Sequence, residues 1–308
     1  MRELQLATLV ATPPEGDDWL HETKFDGYRI LAERRGDTVT LWSRNGKRWT
    51  DQFPTIAAAL ARLPAQRFAI DGEVAAVLPD GRTSFQALQG SFAGGGAQLA
   101  YFVFDLLELG DDDLAALPLE QRKAKLAELV ARAPREIRYS EHVVGRGAAC
   151  FREACKLGLE GIVSKRRDRP YAPGRGRDWL KIKCILRQEL VIGGFTEPAG
   201  ARTGIGALLV GYYDGAALRY AGKVGTGFTA KLLGELRAEL DPLEVATAPF
   251  TPLPARAATG PRVHWVKPKL VAEIAFSEWT ADGRLRHPSF QGMRRDKPAR
   301  AVVRERAK

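Results

Sequence analysis

The sequence is poor in the residues that build small secreted or metal-bound folds. Among 308 residues there are three cysteines, Cys150, Cys155 and Cys184. None forms a CxxC pair, and three thiols are too few for a four-thiolate zinc site. They read as reduced thiols of a cytosolic protein. No run approaches the ~20 apolar residues of a membrane span. The opening MRELQLATLVATPPEGDDW lacks a basic stretch followed by a long apolar one, so a secretory signal is not expected. A membrane role is set aside and a cytoplasmic location expected. No internal repeat is visible. The glycines at 94–96 have no following Lys-Ser/Thr and read as a flexible loop, not a phosphate cradle.

Acidic residues are also in deficit. Lys and Arg number 47 against 37 Asp and Glu, a net charge of +10, which favours a polyanionic partner. The excess is local. Across 165–187 there are nine Lys or Arg against Asp168 and Asp178, interleaved with Tyr171 and Trp179. A charge run is usually a solvated face, but this one contains motif lysines.

What is present is a mixed pattern followed by a strand-rich one. WLHETKFDGYRILAER, TVTLWSRNG, RFAIDGEVAAVLPDG and LAYFVFDLLEL are strand-like and bounded by Gly, Asp and Asn. Helical spacing appears at 53–63, opened by Pro54, at 119–133 and at 147–157. After Arg187 the segments ELVIGGFTE, ALLVGYYDG, ALRYAGKVGTG, HWVKPKLVAEIAFSEWT and RLRHPSF read as five strands, interrupted by a helix at 229–240. The Pro-rich stretch 248–261 reads as a long loop. Five strands with one inserted helix suit an OB-fold barrel. The expected architecture is α+β, with a mixed α/β domain at 1–187 and a small barrel at 188–308.

The chemistry begins at Lys24-Phe25-Asp26-Gly27-Tyr28-Arg29. An ammonium has no lone pair, so a lysine nucleophile needs a lowered pKa or a metal-held electrophile. Asp26 shares a side with Lys24 if the run is extended. Gly27 permits a tight turn and Arg29 offers a bidentate phosphate contact. Further on, Ser43-Arg44-Asn45-Gly46 sets an arginine at a turn, and Asp71-Gly72-Glu73 sets two carboxylates around a glycine. Tyr101-Phe102-Val103-Phe104-Asp105 is an aromatic strand able to stack on a base. Glu160-Gly161-Ile162-Val163-Ser164-Lys165 opens a strand with a carboxylate, and in Trp179-Leu180-Lys181-Ile182-Lys183 both lysines face one side. Each piece alone has a plain alternative: surface carboxylates, a core Phe104, an exposed lysine face. Together they are what phosphoryl transfer needs, cations around one phosphate with Glu73 and Glu160 to hold a divalent metal.

The ordered series KxDGxR, SRNG, DGE, YFVFD, EGIVSK and WLKIK, over about residues 20–187, resembles the covalent nucleotidyltransferase superfamily of DNA ligases, RNA ligases and capping enzymes. SFQALQ, GLEGIVSKRRDRPY, GRDWLKIKC and HPSFQGMRRDK extend the likeness to the ligase domain of bacterial multifunctional non-homologous end-joining ligases. The resemblance implies an ATP-grasp-like nucleotidyltransferase domain before the OB-fold, and a lysyl-AMP on Lys24. It sets Glu22 and Thr23 against adenine, Arg29 and Glu73 against the ribose, and Phe104 against the base. It implies Lys181 and Lys183 on the α-phosphate, Arg44 on a nick's 5′-phosphate, Glu73 and Glu160 at the metal, and Arg294, Asp296 and Lys297 on the pyrophosphate. Arg295 stands where the family often has Glu, which leaves two arginines to choose from. The implied cofactors are ATP and Mg²⁺ or Mn²⁺. The implied partners are nicked duplex DNA and end-joining proteins (a polymerase, a phosphoesterase, an end-binding protein), with the chain a monomer. With Lys24 preceded by 23 residues in this sequence, neither a nicotinamide-reading segment nor a helical DNA-binding domain is expected, and the chain reads either as a minimal stand-alone ligase or as one domain of a larger protein. An RNA ligase, a GTP-using capping enzyme and a non-catalytic nucleic-acid clamp stay open as rivals.

Overall fold

A computed structural model describes residues 2–92, 96–184, 186–198, 204–254 and 262–305. Two compact units divide the chain, the first ending at Cys184 and the second running from Ile185 to Glu305. The expected boundary at 187 therefore falls inside a strand, Leu186–Thr196. That strand opens with Leu-Arg-Gln-Glu, so the composition changes only after the strand has begun.

The first unit contains β1 (Gln5–Leu9), β2 (Trp19–Thr23), β3 (Tyr28–Arg35), β4 (Thr38–Ser43), α1 (Pro54–Ala61), β5 (Arg67–Val77), α2 (Phe85–Phe92), β6 (Gln98–Leu109), α3 (Leu119–Val130), β7 (His142–Val144), α4 (Gly147–Lys156), β8 (Gly161–Arg166) and β9 (Gly174–Lys183). Other strands are two or three residues long. One sheet has the order β1-β9-β8-β2-β7 and the other is built on β4-β3-β5-β6. The run WLHETKFDGYRILAER is thus two strands in two different sheets, parted at residues 24–27.

β5 shows how the layers form. Its alternate residues Ile70, Val74 and Ala76 share one core with Ile56 and Leu60 of α1, Phe85 and Leu88 of α2, and Leu126 and Leu129 of α3. The opposite face of this sheet supplies Leu31, Ala69, Phe104 and Leu107, which pack with Leu4, Tyr171 and Trp179 of the other layer. The two sheets face each other there. α4 covers the far side of the first sheet through Ala154 against Ile162, Leu180 and Ile182. α2 is an element that periodicity does not announce, since it is short and carries Gly90. The Asp26 carboxylate accepts from the Phe85 N–H at 3.0 Å and holds its first turn.

In the second unit β10 (Leu186–Thr196) is the axis, followed by β11 (Ala207–Asp214), β12 (Ala217–Val224), α5 (Ala230–Leu240), β13 (Val263–Val266), β14 (Val271–Phe276) and β15 (Ser289–Met293). β10 pairs with β11 on one edge and with β14 and then β13 on the other, which curls the sheet around a core shared with Leu233, Leu236 and Leu240 of α5. Thr229 caps that helix, accepting from Leu232 N–H at 3.3 Å. HWVKPKLVAEIAFSEWT is three strands, not one. Pro268 has no N–H to give a ladder, so the chain breaks between β13 and β14. The α+β expectation, a mixed unit followed by an OB-fold, holds. Gly94 and Gly95 and the second half of the Pro-rich stretch, 255–261, lie outside the described residues. Among the described residues no helix is long and apolar enough to cross a membrane.

The cysteines correct the sequence reading. Cys155 and Cys184 form a disulfide, with Cα atoms 5.2 Å apart, and Cys150 is free. The packing of α4 on β9 makes the pairing, and a spacing of 29 residues could not reveal it.

Candidate active site

Lys24 directly follows β2 and starts the loop that crosses from one sheet to the other. Two glycines shape this crossing. A Cβ on Gly27 would lie 2.1 Å from the Val74 carbonyl oxygen, and Gly161 has φ +151° with Ile182 oxygen 2.0 Å from its Cβ position. Only glycine lets the strands approach so closely. Lys24 N–H donates to the Gly161 carbonyl at 3.0 Å, which seats the loop on β8.

The Lys24 ammonium donates to Glu160 Oε2 at 2.6 Å. Burial would lower its pKa, but the charges of Glu160, Glu73 and Asp26 raise it above the ordinary lysine value. In this geometry Lys24 is protonated and must lose that proton before it can attack. Asp26 is not on a shared strand face with Lys24, because residues 24–27 lie between β2 and β3, where the chain passes from one sheet to the other. It contributes its charge from the head of α2.

Arg29, on β3, meets Asp71 on β5 through two bonds of 2.6 Å. Tyr171 donates to the same carboxylate at 2.7 Å, and the guanidinium lies over Phe104 at 4.5 Å and Trp179 at 5.4 Å from the ring centroids. Desolvation opposes its charge, yet Asp71 outweighs that and holds Arg29 above its usual range. Asp71 and Tyr171 are positioning groups that the sequence reading did not select. Glu73 lies two residues along β5, on the same face as Asp71. Phe104 carries cations from both sheets, since Lys165 Nζ is 4.3 Å from its centroid.

Lys181 and Lys183 pair across the ladder with Val163 and Gly161, while Trp179 pairs with Lys165. All three β9 side chains share one face by alternation, as expected, and that face is the one carrying Lys165. Glu22 and Lys165 are on it too. Thr23 follows Glu22 in the strand, so its side chain points to the α4 side and only its backbone faces inward. Arg44 is exposed, one residue past Ser43, which pairs with Ile30. That places it at the end of the β4–β3 ladder nearest Arg29.

Arg294 and Lys297 belong to the second unit and form a cluster there. Arg294 donates twice to Asp296 at 2.9 Å and once to Glu273 at 3.2 Å, and Lys297 donates to Glu189 at 2.9 Å. Desolvation works against the Glu189 carboxylate, but Lys297 and Arg294 hold it down at about 2. Exposed Arg295 instead pairs with half-buried Glu239. Arg294 is thus the less exposed arginine of the two, and the one inside the carboxylate cluster.

The largest surprise is a buried polar cluster at Glu22. Lys123 Nζ donates to Oε1 at 2.7 Å, Lys165 Nζ to Oε2 at 2.9 Å and Ser140 Oγ to Oε2 at 3.0 Å. Beside it Arg122 and Asp105 form a two-bond pair with no exposure on either side. Arg122 and Lys123 fall on the inward stripe of α3, between Leu119 and Leu126. Charges on an apolar stripe were the available signal. Burial pushes Lys165 down to about 8, against the pull of Glu22 and with the repulsion of Lys123. A lysine lowered on folding makes stability rise with pH between 8 and the ordinary 10.5 and lose that contribution as pH falls through 8. In urea titrations, wild type minus Lys165→Met is expected to show that upward slope. A pH-independent difference would mean Lys165 keeps its proton throughout.

A metal can also be tested against this geometry. Among the described residues no group of three or more His, Cys, Asp or Glu could hold one. Glu160 accepts from the Lys24 ammonium, and the charge of Glu73 acts on the same ammonium.

With the geometry in place, comparison with known proteins is informative. Residues 6–183 match the family model described as "ATP dependent DNA ligase domain", and 201–297 match "ATP dependent DNA ligase C terminal region". The chain is 43% identical over 307 residues to the multifunctional non-homologous end joining protein LigD of Pseudomonas aeruginosa, covering 98% of this chain and 36% of that protein. It is 32% identical to DNA ligase C1 of Mycolicibacterium smegmatis, covering 90% of this chain and 85% of the other. Among solved structures, mycobacterial DNA ligase D complexed with ATP and MES superposes with a TM-score of 0.71 at 37% identity, covering 97% of this chain and 98% of that one. The chain spans about a third of the length of the LigD relative, 36%.

Proposed function

The chain belongs to the ATP-dependent DNA ligase family, and on that footing we propose that it seals 5′-phosphate/3′-hydroxyl nicks in duplex DNA through a lysyl-AMP on Lys24. The observation that carries this reading is the Lys24 ammonium set against Glu160 at 2.6 Å, with Glu73 and Asp26 as further anions. Such a lysine is stored as a cation and released as a nucleophile when its counter-charges are engaged by the substrate complex. Mg²⁺ or Mn²⁺, when bound by Glu73 and Glu160, supplies Lewis-acid charge for the α-phosphate.

The residues then divide the work. Lys24 nitrogen forms a bond to the α-phosphorus while the bond to pyrophosphate breaks, and the amine proton leaves. Glu22 and the Thr23 backbone read the adenine, Phe104 stacks on it, and Arg29 and Glu73 hold the ribose. Lys181 and Lys183 offset charge on the α-phosphate. Arg44 takes the 5′-phosphate of the nick, onto which AMP moves. The 3′-hydroxyl then attacks that phosphate and AMP departs. Arg294 and Lys297, with Asp296, act on the pyrophosphate in the first step alone. We place this in end joining, as the names of the relatives suggest, with a polymerase, a phosphoesterase and an end-binding protein as partners. The chain acts as a monomer in the cytoplasm.

Incubation with labelled ATP or GTP and metal, followed by a denaturing gel and a nick-sealing assay, tests this. An ATP-dependent adduct and sealed DNA are expected. An adduct from GTP would favour a capping enzyme, sealing of RNA alone an RNA ligase, and no adduct a non-catalytic clamp. Binding to nicked duplex should weaken with a log–log salt slope of about −5 to −7, for about five to eight phosphates. Arg166 and Arg169 share Asp168, and Arg167 is paired with Glu120, so the basic strip is partly neutralised. Removing all three arginines should reduce the slope by about one unit each, and an unchanged slope would make them plain solvated charges.

A further inference from the structure

Two lysines serve one carboxylate at Glu22, and they are not equivalent. Side-chain exposure is 2% for Glu22, 1% for Lys123 and 2% for Lys165. An ionised carboxylate buried this deeply needs one counter-ion, and here it has two. Lys123 arrives from α3, outside every sequence motif. Besides Glu22 it donates to the Ser140 carbonyl at 3.0 Å and lies 4.6 Å from the Tyr139 centroid. Desolvation opposes its charge, but Glu22 and its neighbours keep it above the ordinary lysine value. Lys165 arrives from β8. Among the described residues its one hydrogen bond is to Glu22, and its remaining surroundings are the rings of Phe104 at 4.3 Å and Trp179 at 4.2 Å. Lys123 is fully satisfied where it stands, whereas Lys165 is held by a single bond beside the aromatic wall.

We propose that Lys123 is the resident counter-ion of Glu22 and thereby a base-specificity residue. It keeps Glu22 ionised and in one rotamer when Lys165 gives up its bond to an arriving nucleotide, so a side chain that never touches the nucleotide decides which purine is taken. This deepens the ligase reading, and it rests on Glu22 facing the base. The chemistry is simple. Adenine offers an amino group to a fixed carboxylate, while guanine offers a carbonyl oxygen at the equivalent position, which an ionised and immobile Glu22 repels. Without Lys123 the carboxylate has one counter-ion left, Lys165, and moves or picks up a proton when Lys165 is drawn away. A protonated Glu22 can donate to a carbonyl oxygen, so the discrimination falls.

The test is single-turnover adenylation of Lys24 with labelled ATP and GTP. Lys123→Met should raise KM for ATP on the order of tenfold, the scale of one charge-assisted bond. The maximal rate should change little, because the interaction is made before the transition state. The ATP-over-GTP preference should fall by a comparable factor. Because a buried Glu22 with one lysine could unfold the unit, Glu22→Gln and the double variant Glu22→Gln/Lys123→Met complete the cycle. If Lys123 acts through Glu22, adding Lys123→Met to Glu22→Gln changes neither KM nor base preference further. Equal effects of Lys123→Met in both backgrounds would make Lys123 merely structural, and an unchanged base preference in Lys123→Met would also overturn the proposal. The reading of Glu22 fails separately, if Glu22→Gln alone leaves ATP binding and base choice untouched. The ligase reading fails separately again, if wild type forms no adduct.

Discussion

Lys24→Ala is expected to abolish the AMP adduct, with no mass increment on the protein after incubation with ATP and metal, and to stop sealing from ATP. No neighbouring group can replace this amine. Lys165 is bonded to Glu22, and Lys181 and Lys183 project from β9 at positions paired with Val163 and Gly161. The Lys24 loop is instead fixed by the Gly161 carbonyl and by the close approach at Gly27. The same variant keeps every group needed for the last step, so it should still seal a nick that already carries 5′-AMP. The pH profile follows from the charges around the amine. Its pKa is raised by Glu160, Glu73 and Asp26 despite burial, so the neutral fraction is small near neutrality. The adenylation rate of wild type should climb with pH, approaching tenfold per unit, until the amine loses its proton or another group takes over. An adduct of equal yield in Lys24→Ala would sink the assignment, and a flat profile would place the proton loss outside the rate-limiting step.

The second large effect is expected from Arg294→Ala with Lys297→Ala. Lysine adenylation from ATP should fall by about 10²-fold or more, in line with removing charge-stabilising donors from a phosphoryl-transfer site. Sealing of a pre-adenylated nick should fall far less, because pyrophosphate takes part in the first step alone. The second unit complicates the variant in a useful way. Arg294 and Lys297 are the cations among Glu189, Glu273 and Asp296, and removing both leaves three carboxylates close together. Some loss of stability in that unit is therefore expected. The pre-adenylated substrate controls for it, since an unfolded second unit would impair both reactions alike. Equal losses on the two substrates would remove the step-specific role and leave these residues a part in folding or DNA binding.

Much of this protein can be read from its one-dimensional order. Alternation along β5 and β9 sorts inward from outward side chains with no knowledge of the partner strand, because the period of an extended chain is two. It therefore put Lys181 and Lys183 on one face, where the ladder has them. The glycines beside Lys24 and Glu160 could be suspected of special backbone roles, since glycine alone removes the Cβ that blocks a close crossing. The α+β class followed from a mixed first part and a strand-rich second part.

Other features depend on which elements pack together. Nothing local joins Cys155 to Cys184, because the bond needs α4 laid on β9. Gly27 marks a possible turn, but that the chain changes sheets at residues 24–27 cannot be seen in the run itself, and that change is what sends Asp26 to α2 and not along a strand beside Lys24. Pro268 could have divided its run into two strands, but only the pairing of β10 with both β13 and β14 shows how the sheet curls around that break. The clearest case is Glu22. By itself the sequence determined that a carboxylate precedes the Lys24 motif and that two charged residues sit on the apolar stripe of α3. Only the tertiary structure decided that these are one cluster. The reason is physical: a buried charge is tolerable only with its counter-ion in contact, and which lysine that is depends on α3 lying against β2, a relation between residues 101 positions apart.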